Sequence, residues 1–144
     1  MTVPDREAPH SRDPDSAAIR GVSGILIWTS EDRFPAMRDF YRETLGLTPR
    51  SVRPRFVNFE WGGFRLTVSV HDEVSGANED PLRIMLNLDV ADIAAVHARL
   101  RAAGVAFSRP PEPEPWGGVI ATFQDPDGNT LQLMQLPRGE PEQR

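Results

Sequence analysis

Few side chains in this chain could do chemistry. Among 144 residues there are three histidines, His10, His71 and His97, and no cysteine. Thiolate nucleophiles, disulfides and Cys-ligated zinc are therefore excluded. His71 closes an alternating run in which Phe64, Leu66, Val68 and Val70 share one face and Arg65, Thr67, Ser69 and His71 the other. An imidazole there could carry a proton or donate a hydrogen bond to a ligand, because it titrates near neutrality; it could equally be a strand-end surface group. His10 stands in a charged terminal stretch, and His97 borders the apolar stripe of a helix with no partner at ligand spacing, so both read as non-functional. A second alternating run sets Arg83, Met85, Asn87 and Asp89 against Leu82, Ile84, Leu86, Leu88 and Val90. Arg83 could hold a carboxylate or phenolate by paired hydrogen bonds, or pair with Glu60 or Asp89. No nucleophile stands beside an activating base.

These side chains need strands to carry them. The clearest strand pair flanks DPDGN, residues 125–129. Asp125 can bond forward to backbone amides, Pro126 presets φ, and Gly128 and Asn129 tolerate positive φ, so the chain reverses there. In the strand that leaves, Leu131 and Leu133 face one way and Thr130, Gln132 and Met134 the other. GVSGILIW, from Gly21, reads as a first strand. SEDRFPAM then starts a helix with Asp32 as candidate cap and Pro35 in its first turn; Met37, Phe40, Tyr41 and Leu45 form its buried stripe and Gly46 ends it. A short strand over 48–53 and a hairpin about Gly62 and Gly63 follow. After a polar link over 72–81 the order repeats. A strand from Leu82 leads to a helix with Ile93, Val96 and Leu100 as its stripe, Asp89 as plausible cap and Gly104 at its end. RPPEPEP, Arg109 to Pro115, reads as an extended proline-rich loop delivering Trp116 to the next strand. The chain is βαβββ twice, a duplication.

MRDFYRETLGL, residues 37–47, and DPDGN before the last strand together resemble the vicinal oxygen chelate superfamily, the glyoxalase, bleomycin-resistance and extradiol-dioxygenase group, over about residues 21–137. The resemblance implies an α+β fold: two βαβββ modules, about 21–72 and 82–137, forming a cup-shaped mixed sheet with helices outside. In that group a divalent metal sits in the cup on His, Gln or Glu side chains from the first and last strands of each module. Carried over by position, those ligands fall on Gln132, on or beside Met85, on Thr67, and on Ser23, Gly24, Ile25 or Leu26. A divalent ion needs several convergent imidazoles or carboxylates, so the expected metal site is none, with a bound divalent metal as the alternative. The inward faces would present Phe56, Asn58, Thr67, Ser69, His71, Arg83, Met85, Asn87 and Gln132, with Trp28, Trp61 or Trp116 near the rim. Aromatic walls with a few polar groups suit a small organic ligand.

The charge of −5 leaves no electrostatic footprint for nucleic acid, and no apolar run approaches membrane-spanning length or a secretory signal. Residues 1–20 read as a disordered leader and 138–144 as a tail. The expectation is a cytoplasmic protein, by resemblance a homodimer, that binds a small aromatic or planar molecule without a metal. The alternative is a lyase, isomerase or dioxygenase of the same group, with His71 as its candidate base and Arg83 as oxyanion partner.

Overall fold

The structure, a computed structural model, describes residues 16–137. His10, most of the expected leader and the tail over 138–144 lie outside the described residues. Two four-stranded mixed sheets carry the chain, one per module. Strand β1 (Gly24–Thr29) leads to helix α1 (Phe34–Asp39), then to β2 (Ser51–Arg53), β3 (Phe56–Trp61) and β4 (Phe64–Val70), in spatial order β1-β4-β3-β2. Strand β5 (Met85–Asp89), helix α2 (Ile93–Ala102), β6 (Phe107–Pro113), β7 (Val119–Gln124) and β8 (Thr130–Gln135) repeat this as β5-β8-β7-β6. In each sheet the first strand runs parallel to the last and every other pair is antiparallel. The duplication and the α+β architecture read from the sequence are both present.

Strand alternation decides what is buried. Val57, Phe59, Leu66 and Val68 of the first sheet and Ala121, Phe123, Leu131 and Leu133 of the second join Met37, Tyr41 and Leu100 of the helical segments in one core. Because the apolar faces of both sheets share that core, their opposite faces look away from it on two sides of the molecule. Helix α1 runs on into a π-helical turn (Phe40–Thr44), closed by a bond from the Leu45 N–H to the Phe40 carbonyl at 2.8 Å. The wider turn keeps both Tyr41 and Leu45 in the core.

Several local expectations are corrected. Arg33, not Asp32, occupies the N-cap of α1 and makes no side-chain cap bond; Asp32 instead accepts from the Ser30 hydroxyl. Asp92, not Asp89, caps α2, accepting from the Ala95 amide at 3.2 Å, since the chain runs past Asp89 before the helix starts. Strand β1 begins at Gly24 rather than Gly21, and β5 at Met85 rather than Leu82. The proline-rich segment is no loop: most of it forms edge strand β6, with two register shifts against β7. Prolines there cost no ladder bond on the open side of the sheet.

Candidate functional site

Across the outward face of the first sheet the register sets three parallel rows. Trp28, Ser69 and Phe56 form one; Leu26, Thr67 and Asn58 the next; Gly24, Arg65 and Glu60 the third. Alternation in three paired strands puts all nine side-chain positions on one side. Trp28 is 41% exposed and Leu26 47%, so the face is apolar at one end and has no packing partner among the described residues. His71 lies beyond β4, its ring edge-on to Trp28 at 4.9 Å. Its Nδ1 accepts the Glu73 amide N–H at 3.0 Å. A ring nitrogen that accepts carries no proton, so the neutral imidazole holds its proton on Nε2 and offers a donor. Asn58 is buried and accepts the Ser51 hydroxyl at 2.9 Å. The charged row continues to Arg50. One oxygen of Glu60 accepts from Arg65 Nε at 3.3 Å and is ion-paired with Arg50 Nε at 2.8 Å, and an open cleft of about 440 Å³ lies over Gly24, Leu26, Arg65 and Thr67.

The outward face of the second sheet carries Met85, Asn87 and Gln132. Met85 stands opposite Thr130, and Asn87 opposite Gln132, whose Nε2 donates to the Asn87 oxygen at 2.9 Å. Arg83 stands apart from them. It lies in the turn before β5, outside the strand that was to aim it inward, and its Nε donates to Asp80 at 2.7 Å with both side chains well exposed. Trp116 sits in the β6–β7 connection with its ring laid over Gly118, where an added Cβ would stand 2.0 Å from it. Trp61 shares the parity of Phe59 and stacks on it at 6.4 Å. It therefore faces the core side, lining a cleft of about 510 Å³ between the modules with Phe64, Leu86 and Leu88; it does not border the expected cup. His97 packs edge-on against Phe107 at 4.5 Å, the structural role expected of it.

The residues expected in one cup therefore divide between two faces that look in different directions: Trp28, Phe56, Asn58, Thr67 and His71 on one, Met85, Asn87 and Gln132 on the other. From the sequence Leu26 entered only as a possible metal-ligand position and Glu60 only as a possible partner of Arg83, and Arg65 was not singled out, although the alternation that selected Thr67 also selects Arg65.

The donor set at the positions where a metal would be held is a thioether, a carboxamide, a hydroxyl and the residues about Gly24. That set does not fit a hard or borderline divalent ion. Among the described residues no three His, Asp or Glu side chains are close enough to share one.

The DPDGN turn is a junction between the modules. Asp125 Oδ1 accepts the amides of Asp127 at 2.9 Å and Asn129 at 3.0 Å, while Oδ2 accepts the Tyr41 hydroxyl at 2.7 Å and the Asn129 side chain at 2.9 Å. Asp127 takes the Thr29 hydroxyl at 2.6 Å and the Arg33 guanidinium at 2.5 Å. Burial raises the Asp125 carboxyl above its ordinary range, with the hydrogen bonds from Tyr41 and Asn129 pulling the other way. Burial first, then the charge of Asp125, pushes the Tyr41 phenol well up, so it stays a donor. The role of this turn is to join the modules.

A model of the Glyoxalase/Bleomycin resistance protein/Dioxygenase superfamily matches residues 30–133. No protein with a curated description matches the chain. Among solved structures, TnmS3, an antibiotic binding protein from Streptomyces sp. CB03234, is 30% identical over 82% of this chain and 97% of its own, with a TM-score of 0.62. A glyoxalase-related enzyme from Fulvimarina pelagi is 24% identical over 82% of this chain and 89% of its own, with a TM-score of 0.67. A glyoxalase/bleomycin resistance protein/dioxygenase from Nocardioides is 24% identical over 88% and 91%, with a TM-score of 0.63. Both of the latter speak to fold alone.

Proposed function

Because the chain belongs to the glyoxalase/bleomycin resistance protein/dioxygenase superfamily, we propose that it binds a small, flat organic molecule without a metal ion, as a cytoplasmic homodimer. The observation that carries this reading is the aromatic end of the first outward face. Trp28 and Phe56 flank Ser69 in one row, with His71 held against Trp28 and its Nε2 proton available. An exposed aromatic surface beside a few oriented polar groups is the chemistry that recognises planar ligands. The likeness to an antibiotic binding protein supports a small-molecule ligand. For His71 the tautomer favours donation to a bound ligand over proton abstraction, which weighs against the lyase, isomerase or dioxygenase alternative. A second copy enters because each chain offers two half-sites that do not face each other, and closing a pocket over a ligand needs both.

The test is calorimetric titration of chelator-treated protein with planar aromatic compounds, alongside elemental analysis of metal content. Saturable binding that is unchanged by chelator, and about tenfold weaker in Trp28→Ala, is the expected result. Binding that requires an added divalent ion, or conversion of the compound to product, would replace this reading with the enzymatic one.

A further inference from the structure

We propose that the row Gly24, Arg65, Glu60 and Arg50 is an oxyanion seat, so that the bound molecule combines a flat apolar body with a carboxylate or similar anionic group. This rests on the binding reading above and narrows its ligand class. Glu60 splints two guanidiniums through a single carboxylate oxygen. The cluster holds two cations and one anion, a local excess of positive charge on a chain whose net charge is −5. Among the described residues the terminal nitrogens of Arg50 and Arg65 have no other partner, which leaves the forks that recognise oxyanions free. Gly24 is the neighbour of Arg65 across the sheet, and the open cleft lies over both.

The register also gives the length of the ligand. Along β1 the charged row at Gly24 and the aromatic row at Trp28 are four residues apart, about 13 Å at the rise of a strand. Between them Leu26 and Thr67 give an apolar surface and one hydroxyl. A molecule whose ring covers Trp28 therefore reaches Arg65 only through a spacer of about that span. Arg83, which the sequence suggested for the anion, is committed to Asp80 in its turn.

The probes are naphthyl-octanoate, whose chain matches this span, and its primary amide, titrated into the full-length protein by calorimetry. The acid should bind about tenfold or more tightly than the amide. Arg65→Gln should abolish that preference, Arg65→Lys should retain part of it, and Glu60→Gln, which removes the only anion of the seat, should tighten the acid and leave the amide unchanged. Trp28→Ala should weaken both probes alike. Equal affinity for acid and amide, with both still weakened by Trp28→Ala, overturns the seat and leaves the small-molecule reading standing. A preference that survives Arg65→Gln in protein of unchanged melting temperature also overturns it. Failure of both probes to bind overturns both.

Discussion

Asp125 shows how a motif that looks like plain turn chemistry acquires a second role. Its two oxygens accept four hydrogen bonds, and the one from Tyr41 comes from the other module. Tyr41→Phe removes that donor without changing volume and leaves a buried carboxylate one bond short. The expected loss is about 1–3 kcal/mol, read by urea denaturation with an unchanged slope. A loss below about half a kcal/mol would mean that the Asn129 bonds suffice. The carboxyl also fixes a pH response. Its folded-state value lies above the ordinary 3.8 because burial disfavours the charge. The native state thus keeps this proton longer than the unfolded chain, and the contribution is full below 3.8 and lost as pH rises through the raised value. The stability gap between wild type and Asp125→Asn should therefore narrow as pH climbs through the window just above 3.8. A gap that widens there would show that the hydrogen bonds outweigh burial.

Among the strands, the four sheet edges are protected unequally. Strand β2 has three residues and stands among Arg50, Arg53 and Arg55; β6 carries Pro110, Pro111 and Pro113 and two register shifts. Those are the devices that keep an edge from pairing further. Strand β1, GILIWT, has no charge and β5, MLNLD, has one, so the unprotected edges are the first strands of the two modules. At the start of β1 the backbone approaches β4 so closely that a Cβ on Gly24 would lie 2.4 Å from the Arg65 carbonyl oxygen. Gly24→Ala must therefore pry two parallel strands apart, and should cost about 1–3 kcal/mol, measured as a fall in melting temperature. A neutral result would mean that β1 can slide outward freely. Alternation made most of the fold legible: Phe64 to His71 and Thr130 to Gln135 follow from period two alone. Three features were illegible. Arg83 continues the alternation of β5 on paper, yet its bonds to Asp80 hold it in a turn that ends two residues before the ladder starts at Met85. Prolines disguised β6 because nothing local tells an edge strand from a loop. The π turn leaves no period of its own, since Phe40, Tyr41 and Leu45 satisfy a helical stripe as well.

For the whole molecule the question is where the two half-sites meet. Sequence parity assigned Thr67 and Gln132 correctly to non-core faces, but parity within a strand carries no information on how one module is rotated against the other. That rotation is set by the shared core and by the Asp125 and Asp127 junction, which bind the modules back to back and send the two faces apart. If a ligand is enclosed by both, one face must come from each of two copies related by a twofold axis, because a closed dimer then makes two equivalent pockets. Complementation tests this without a known interface. Trp28→Ala damages the first face and Gln132→Ala the second, so a homodimer of either has two damaged pockets. In a mixed dimer one pocket combines both damaged faces and the other combines both intact ones. Two proteins, each weak alone, should therefore recover full-affinity binding at about a quarter of all pockets after unfolding and refolding together, seen as a tight phase in the titration that neither parent shows. Absence of that phase, in a sample shown by ultracentrifugation to be dimeric, would mean that each pocket is built within one chain. A monomeric sample would mean that each face binds alone. The mixed dimer is decisive because local damage from either substitution cannot be repaired by mixing unless the faces belong to different chains.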